Sequence, residues 1–402
     1  MELYTLDEQL RRARVVEGYE SLIWTERYST WGDFELIIRS SREARNLLPV
    51  DTRLALDRSH RVMTVETVEE SINDDGEETL TITGRSLEAL LDDRVAMPQL
   101  GPLETEEPDP DDPDKTRTVS VKWEFTDKPA DIARSLFQVV CVDGAISEAD
   151  KIPFYEPGNI LPLGTIPEPQ DVVTIAFEPD TLYNSLKEVC DTYNLGFRIL
   201  RDGDNSRTSF EVYTGDNRMS NQTTFPAVIF SPEMENLTNT AQLTSTAKMK
   251  NVAYVFAKNG ATEVLAPGAD PDAAGFERRV LFVKADNIDG TSGTDLEIAM
   301  QQRGLQELAK HRTIFNFDGE IPEFGSYEYG VDYNLGDLVE QRNADGFSTE
   351  MRVTEQIFVS DAEGERAYPT LSINIVANPG TWRSMGSKTW SQMQDEEYWG
   401  NA

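Results

Sequence analysis

From residue 20 onward the chain alternates apolar and polar positions with a period of two, the signature of strands buried on one face. The run Ser21-Leu22-Ile23-Trp24-Thr25-Glu26-Arg27-Tyr28 predicts a strand closed by a Ser29-Thr30-Trp31-Gly32 turn. Beyond the turn, Phe34, Leu36 and Ile38 share one face, while Asp33, Glu35 and Arg39 share the other. Leu54 and Leu56 then alternate with Arg53, Ala55 and Asp57. A hairpin follows. Arg61-Val62-Met63-Thr64-Val65-Glu66-Thr67-Val68 runs to Asp74-Asp75-Gly76 and returns as Glu78-Thr79-Leu80-Thr81-Ile82-Thr83. Ser86 is then placed to cap a short helix whose apolar face is Leu87, Leu90 and Leu91.

The hairpin pattern returns near the C-terminus. Arg352-Val353-Thr354-Glu355-Gln356-Ile357-Phe358-Val359 runs to Ala362-Glu363-Gly364 and returns as Pro369-Thr370-Leu371-Ser372-Ile373-Asn374. At one offset Arg61, Val62, Val68, Thr79, Leu80 and Ile82 coincide with Arg352, Val353, Val359, Thr370, Leu371 and Ile373, and Thr81 meets Ser372. Similar hairpins arise by chance or by duplication of a β-domain; duplication is the working reading.

Between the copies the period changes. Prolines 98, 102, 108, 110 and 113 alternate with acids over 97–114, which predicts a solvated stretch without regular structure. A calcium loop is the alternative there, but the glycine and terminal glutamate of an EF-hand are missing. Pro129 suits the first turn of a helix carrying Ile132, Ala133, Leu136, Phe137, Val139 and Val140 inward. After a proline-rich connector over 153–169, Asp180 is placed as the cap of a helix with Leu182, Tyr183, Leu186, Val189, Cys190 and Tyr193 on one face, ended by Gly196. Strands are expected over 197–200 and 209–214, then over 252–256, 279–283 and 314–318, with a helix capped by Thr294 and Glu297 running through Lys310. In that helix Gly304 leaves room for a close neighbour. The fold class is therefore mainly β with an α+β insertion. Its parts are a first β-domain (1–98), an acidic proline-rich loop (99–120), an inserted α+β domain (121–225), a second β-domain (226–378) and an aromatic tail (379–402).

Charge narrows the function. The 402 residues carry 72 acids against 37 lysines and arginines, a formal net of −35. Such a surface repels phosphate rather than reading it, or serves solubility alone. The start Met1-Glu2-Leu3-Tyr4 has no leader-like basic and apolar regions, and no apolar run reaches membrane-spanning length. Two histidines (His60, His311) and two cysteines (Cys141, Cys190, placed on apolar helix faces) give no zinc spacing and no cysteine–histidine pairing. Nucleophile-elbow, phosphate-loop and dinucleotide motifs are missing as well. The Asp92-Asp93 pair could be read as a glycosidase dyad, but acid pairs arise freely among so many carboxylates. These residues favour a protein that is not an enzyme and uses no metal or cofactor. On the polar tail, Trp382, Trp390, Tyr398 and Trp399 are candidates for binding a partner.

Four elements in this order resemble the tail hub proteins of long-tailed bacteriophages. They are Trp31-Gly32-Asp33-Phe34-Glu35-Leu36, the hairpin ending in Gly84-Arg85-Ser86-Leu87-Glu88-Ala89-Leu90-Leu91, Asp332-Tyr333-Asn334-Leu335-Gly336-Asp337, and the strand pair after it. The chain is most similar to the short form found in actinobacteriophages, called a minor tail protein, over about residues 20 to 378. Trp31, Gly32, Gly84, Arg85, Tyr333, Gly336 and Asp337 are the structural motif positions. The resemblance implies two related tail-tube-like β-barrels per chain and a homotrimeric ring of six barrels at the tail tip of the virion. A distal tail protein or tube ring would sit above, tip or fibre proteins below, with DNA passing through without specific binding. Synthesis would take place in the host cytoplasm. Larger relatives append lysozyme, peptidase or fibre regions, and this chain stops soon after its second β-domain. A glycan or peptidoglycan hydrolase of the tail tip and an acidic cytoplasmic binding module are the competing readings.

Overall fold

The computed structural model describes residues 1–72, 76–109, 112–161, 172–203, 206–236, 238–285, 294–311, 313–320, 327–342 and 348–373. Contacts divide the chain into two units, one of Met1–Thr244 with Ile314–Ile373 and one built on Ser245–Thr313. This division cuts through the span expected for a second β-domain.

The first unit is organised on a sheet of thirteen strands. At its centre Tyr19–Arg27 and Asp33–Arg39 pair as an antiparallel hairpin. Their alternation works as the sequence predicts: Leu22, Trp24, Phe34 and Leu36 are at most 3% exposed, whereas Ile23 and Glu35 face outward. Burying each of these large side chains is worth about 1.5–3 kcal/mol. The first hairpin, Val62–Ile72 with Glu78–Ser86, joins Asp33–Arg39 through its returning strand. The second, Ser348–Asp361 with Gly364–Ile373, joins Tyr19–Arg27 through its outgoing strand. Arg53–Leu56, Leu3–Leu6 and Arg12–Val16 complete one end of the sheet, and Ile314–Glu320 and Thr238–Ser245 the other.

The two hairpins are thus used differently, and their registers differ too. Val68 pairs with Ile82, but Val359 pairs with Arg366 and Ile373 with Met351. The cause is the turn. The first closes between Ile72 and Glu78, the second between Asp361 and Gly364, so one offset cannot fit both returning strands. Only the outgoing strands stay equivalent at their start, where Arg61, Val62, Arg352 and Val353 are all buried. Among the described residues the strands form open sheets, and two closed barrels are not seen.

The acidic stretch also departs from the expected loop. Glu104–Asp109 and Asp112–Ser120 form an antiparallel ribbon. In this two-stranded ribbon Glu104 and Glu106 are exposed to solvent, and Pro108 sits where few ladder bonds are required.

The inserted segment packs Pro129–Phe137 and Leu182–Tyr193 against the hairpin of Gly196–Arg201 and Thr208–Tyr213. Pro129 begins its helix as expected, and a widened turn over Gln138–Val142 leaves Val139 half-buried while Val140 and Cys141 point inward. Phe137 stacks on Phe210 at 4.0 Å. The second helix is capped by Thr181 rather than Asp180: the Asn184 N–H donates to Thr181 Oγ1 at 3.2 Å. Its end falls at Asn194 (φ +58°) rather than Gly196. Ser86, expected as a cap, makes no capping bond; it precedes a 3₁₀ turn, Leu87–Asp93.

The second unit is a three-stranded sheet, Gly260–Leu265, Val252–Ala257 and Val280–Lys284, with the helix Thr294–Ala309 on one face. The room at Gly304 is taken by Val264, whose side chain lies 2.6 Å from where a Cβ would stand.

Gly84 tests the first hairpin. A Cβ there would lie 1.8 Å from the Thr64 carbonyl oxygen, beside the register shift between Val65 and Thr67. Gly84→Ala is expected to cost about 3 kcal/mol, the upper end of overpacking, read as a fall in the urea midpoint. Gly101, with open space around it, is the control. Gly101→Ala should change stability by no more than about 0.5 kcal/mol.

Candidate functional site

The motif positions collect at two places on the first unit. At the first, Asp33 is paired with Arg85 and Phe34 with Gly84 across neighbouring strands. Arg85 lies over the Trp31 ring at 4.8 Å and donates to Glu66 at 2.9 Å. Gly32 is required because a Cβ would meet the Thr25 carbonyl oxygen at 2.2 Å. Arg27 ties this corner to the second hairpin, donating to Asp33 and to Glu355 at 2.6 Å each. An open groove of about 440 Å³ beside this corner is bordered by Ile23, Glu35, Glu66, Thr83, Gly84 and Arg85.

At the second place, Asp337 is 2% exposed and accepts from Arg218 Nε at 2.7 Å, from the Asp216 N–H at 2.7 Å and from the Asn334 N–H at 2.9 Å. Burial pushes its carboxyl above the ordinary aspartate value, and these donors pull the other way. Tyr333 donates to Gln356 at 2.9 Å. Gly336 (φ +91°) takes a left-handed turn, and a Cβ there would also strike the Tyr28 ring at 2.5 Å.

Tyr28, which the sequence reading passed over, connects both places to the insertion. Its hydroxyl contacts the Asn194 carbonyl at 3.0 Å and the Tyr213 carbonyl at 3.2 Å, its ring meets Tyr213 edge-on at 5.3 Å, and Arg352 lies over it at 5.1 Å. Gly196 is needed here as well: a Cβ would fall 2.3 Å from the ring. Beside it are buried ion pairs. Arg61 donates to Glu88 and to the Arg27 carbonyl, and Glu88 also accepts from Ser86 and from the Ile199 N–H at 2.7 Å. Arg198 pairs with Glu211 at 2.7 Å and lies over Tyr213 at 4.1 Å. Arg198 and Glu211 also stand opposite each other in register. Two opposite charges placed symmetrically about the connection of residues 202–207 were the available sequence signal.

This constellation is structural chemistry. Every arginine named is engaged by carboxylate or carbonyl. Burial pushes the Cys141 thiol up to about 12 and the Cys190 thiol higher, so neither supplies a thiolate at neutral pH. His60 and His311 face backbone carbonyls, and Asp92 and Asp93 are exposed at the end of the 3₁₀ turn. Among the described residues no group of three or more His, Cys, Asp or Glu is placed to hold a metal ion, and no helix is long and apolar enough to cross a membrane. Trp382, Trp390, Tyr398 and Trp399 lie outside the described residues.

Removing one partner of a buried pair leaves an uncompensated charge. Glu88→Ala should therefore cost about 3–5 kcal/mol, and Arg61→Met with Glu88→Leu distinctly less. Urea unfolding of both variants checks the order; a double variant no more stable than the single would show that charge is not what the site needs.

The fold is shared with solved tail proteins. The tail protein from Neisseria meningitidis MC58 is 13% identical, with a TM-score of 0.51 and coverage of 93% of this chain and 96% of its own. The prophage MuSo2 43 kDa tail protein from Shewanella oneidensis is 12% identical, with a TM-score of 0.52 and coverage of 92% and 96%. No curated protein matches the chain in sequence. The family described as Siphovirus ReqiPepy6 Gp37-like protein matches residues 1–371, and the chain belongs to that family.

Proposed function

We propose that the protein is a structural component of the bacteriophage tail, and within the tail the hub: a homotrimeric ring that joins the tube to the tip and surrounds the DNA exit channel. The observation that carries the tail role is the family match over residues 1–371, a family of siphoviruses, together with a fold shared along nearly the full length of two tail proteins. Engagement of the buried acids and arginines in packing supports a structural role over a hydrolytic one. The finer assignment to the hub rests on the order of the motif elements, which sit at two corners of one unit. In this reading the two hairpin-bearing halves are tail-tube-like barrels completed in the assembled ring. The neighbours are a tube ring or distal tail protein above and tip or fibre proteins below.

The charge supports a channel role. Each lysine or arginine facing a duplex adds salt-dependent affinity through counterion release, which would hold DNA that must slide. Carboxylates repel over about 8–10 Å at physiological salt. With a net of −35, acids are expected to outnumber basic residues on the inward face. A reconstruction of the assembled tail tip tests both points: three copies with an acidic lumen are expected. Six copies or one would remove the trimer, and a neutral or basic lumen would remove the charge argument.

The C-terminal segment with Trp382, Trp390, Tyr398 and Trp399 is read as a docking element for another tail protein or a neighbouring copy, because buried aromatics dominate interface energies. Deleting the residues after Pro379 should leave a folded chain that enters tails poorly. Incorporation at the wild-type level would remove this reading.

A further inference from the structure

The second unit has a face that its own helix leaves bare. Alternation sends Ala253, Val255, Val264 and Val283 against Leu296, Met300 and Leu308 of the helix. The opposite face then receives Tyr254, Phe256 and Phe282. Phe256 and Phe282 are 44% and 67% exposed with ring centroids 5.4 Å apart, and Tyr254 is the register partner of Phe282. Full burial of each phenylalanine would be worth about 1.5–3 kcal/mol. Lys284 borders the rings as the register partner of Phe256, and Arg278 lies 5.7 Å from the Tyr254 ring, where it is paired with Glu263 at 2.6 Å. Residues 245–313 hold nine basic and nine acidic residues in a chain whose net is −35, so this stretch carries none of the excess that would repel an acidic segment.

The chain itself contains a segment of matching chemistry. After Ile373 come 29 residues in which Thr381-Trp382 and Met385 recur as Thr389-Trp390 and Met393, and Tyr398 continues the eight-residue spacing. The run Asp395-Glu396-Glu397 stands directly before Tyr398-Trp399, an acidic group beside an aromatic pair. At about 3.3 Å per extended residue the segment reaches far beyond the width of a domain, so length does not restrict it to its own subunit.

We propose that the aromatic face formed by Tyr254, Phe256 and Phe282 is the dock for the C-terminal segment, of the same chain or of a neighbouring copy. Tyr398-Trp399 lies on the rings and the acidic run lies toward the Lys284 side of the face. This rests on the reading of the tail as a docking element and names its surface.

The test uses the full chain. Lys284→Cys combined with Gly400→Cys is oxidised mildly and mapped by mass spectrometry; the native cysteines are buried and do not compete. Docking should make this bond form about tenfold faster than that of Val15→Cys with Gly400→Cys, through raised local concentration. Adding Phe256→Ser and Phe282→Ser should abolish the gain. A rate equal to the control overturns the proposal, as does a Lys284→Cys variant that instead links two copies through this one position, which would mean that the face pairs with itself. Incorporation into tails separates the two layers of inference. If deletion after Pro379 impairs assembly while the phenylalanine variants assemble normally, the surface is wrong and the tail reading stands. Normal assembly of both removes the tail reading itself.

Discussion

Burial of the Tyr28 hydroxyl constrains the rest of the first unit. A phenol taken out of water without partners loses several kcal/mol, so the chain must bring acceptors to it. They come from the end of a helix at Asn194 and the end of a strand at Tyr213, both in the insertion, while Arg352 of the second hairpin covers the ring. Two glycines, Gly196 and Gly336, lack side chains on the sides from which these segments approach. The turn of the central hairpin is therefore the point at which insertion, first hairpin and second hairpin fix one another's position.

The ion pairs around this point act on specificity more than on stability. Desolvating Arg61 with Glu88, or Arg198 with Glu211, takes back much of what their attraction supplies. Their value lies in rejecting other registers. A shift of the Gly196–Arg201 strand by one residue would remove the Ile199 N–H from Glu88 and Arg198 from Glu211 together. An apolar core alone tolerates such slips better, because one aliphatic side chain replaces another at small cost.

Strands and helices were legible because they depend on local period: Phe34, Leu36 and Ile38 could only face one way, and Pro129 could only start a helix. Identity at one offset ignores where the turn falls: the first turn is three residues longer and, at that offset, begins two residues later than the second, so Val68 and Val359 find partners 14 and 7 residues on. The acidic ribbon was hidden because composition measures the difficulty of forming a core, and a two-stranded ribbon needs none. Tyr28 and Glu88 were hidden for another reason. Each sits in an ordinary run, and its partners, Asn194 and Tyr213 for one and Arg61 and Ile199 for the other, are remote in sequence. Gly84 and Gly336 were visible as motif letters, but the carbonyl and the ring that exclude a side chain there appear only in three dimensions.

The acids of this chain fall into two populations with different physics. The buried ones are matched individually: Glu88 by Arg61, Glu211 by Arg198, Asp337 by Arg218, and Glu26 by the hydroxyls of Ser59 and Tyr329. Packing therefore uses up basic residues about as fast as acidic ones and cannot generate a net of −35. The excess belongs to the surface, where water and salt make it cheap for the fold. Residues 245–313 contain none of it, since their charges balance. An excess imposed by solubility alone would have no reason to spare one unit. The excess is concentrated elsewhere in the chain, most densely in residues 104–114, where seven acids stand with no lysine or arginine.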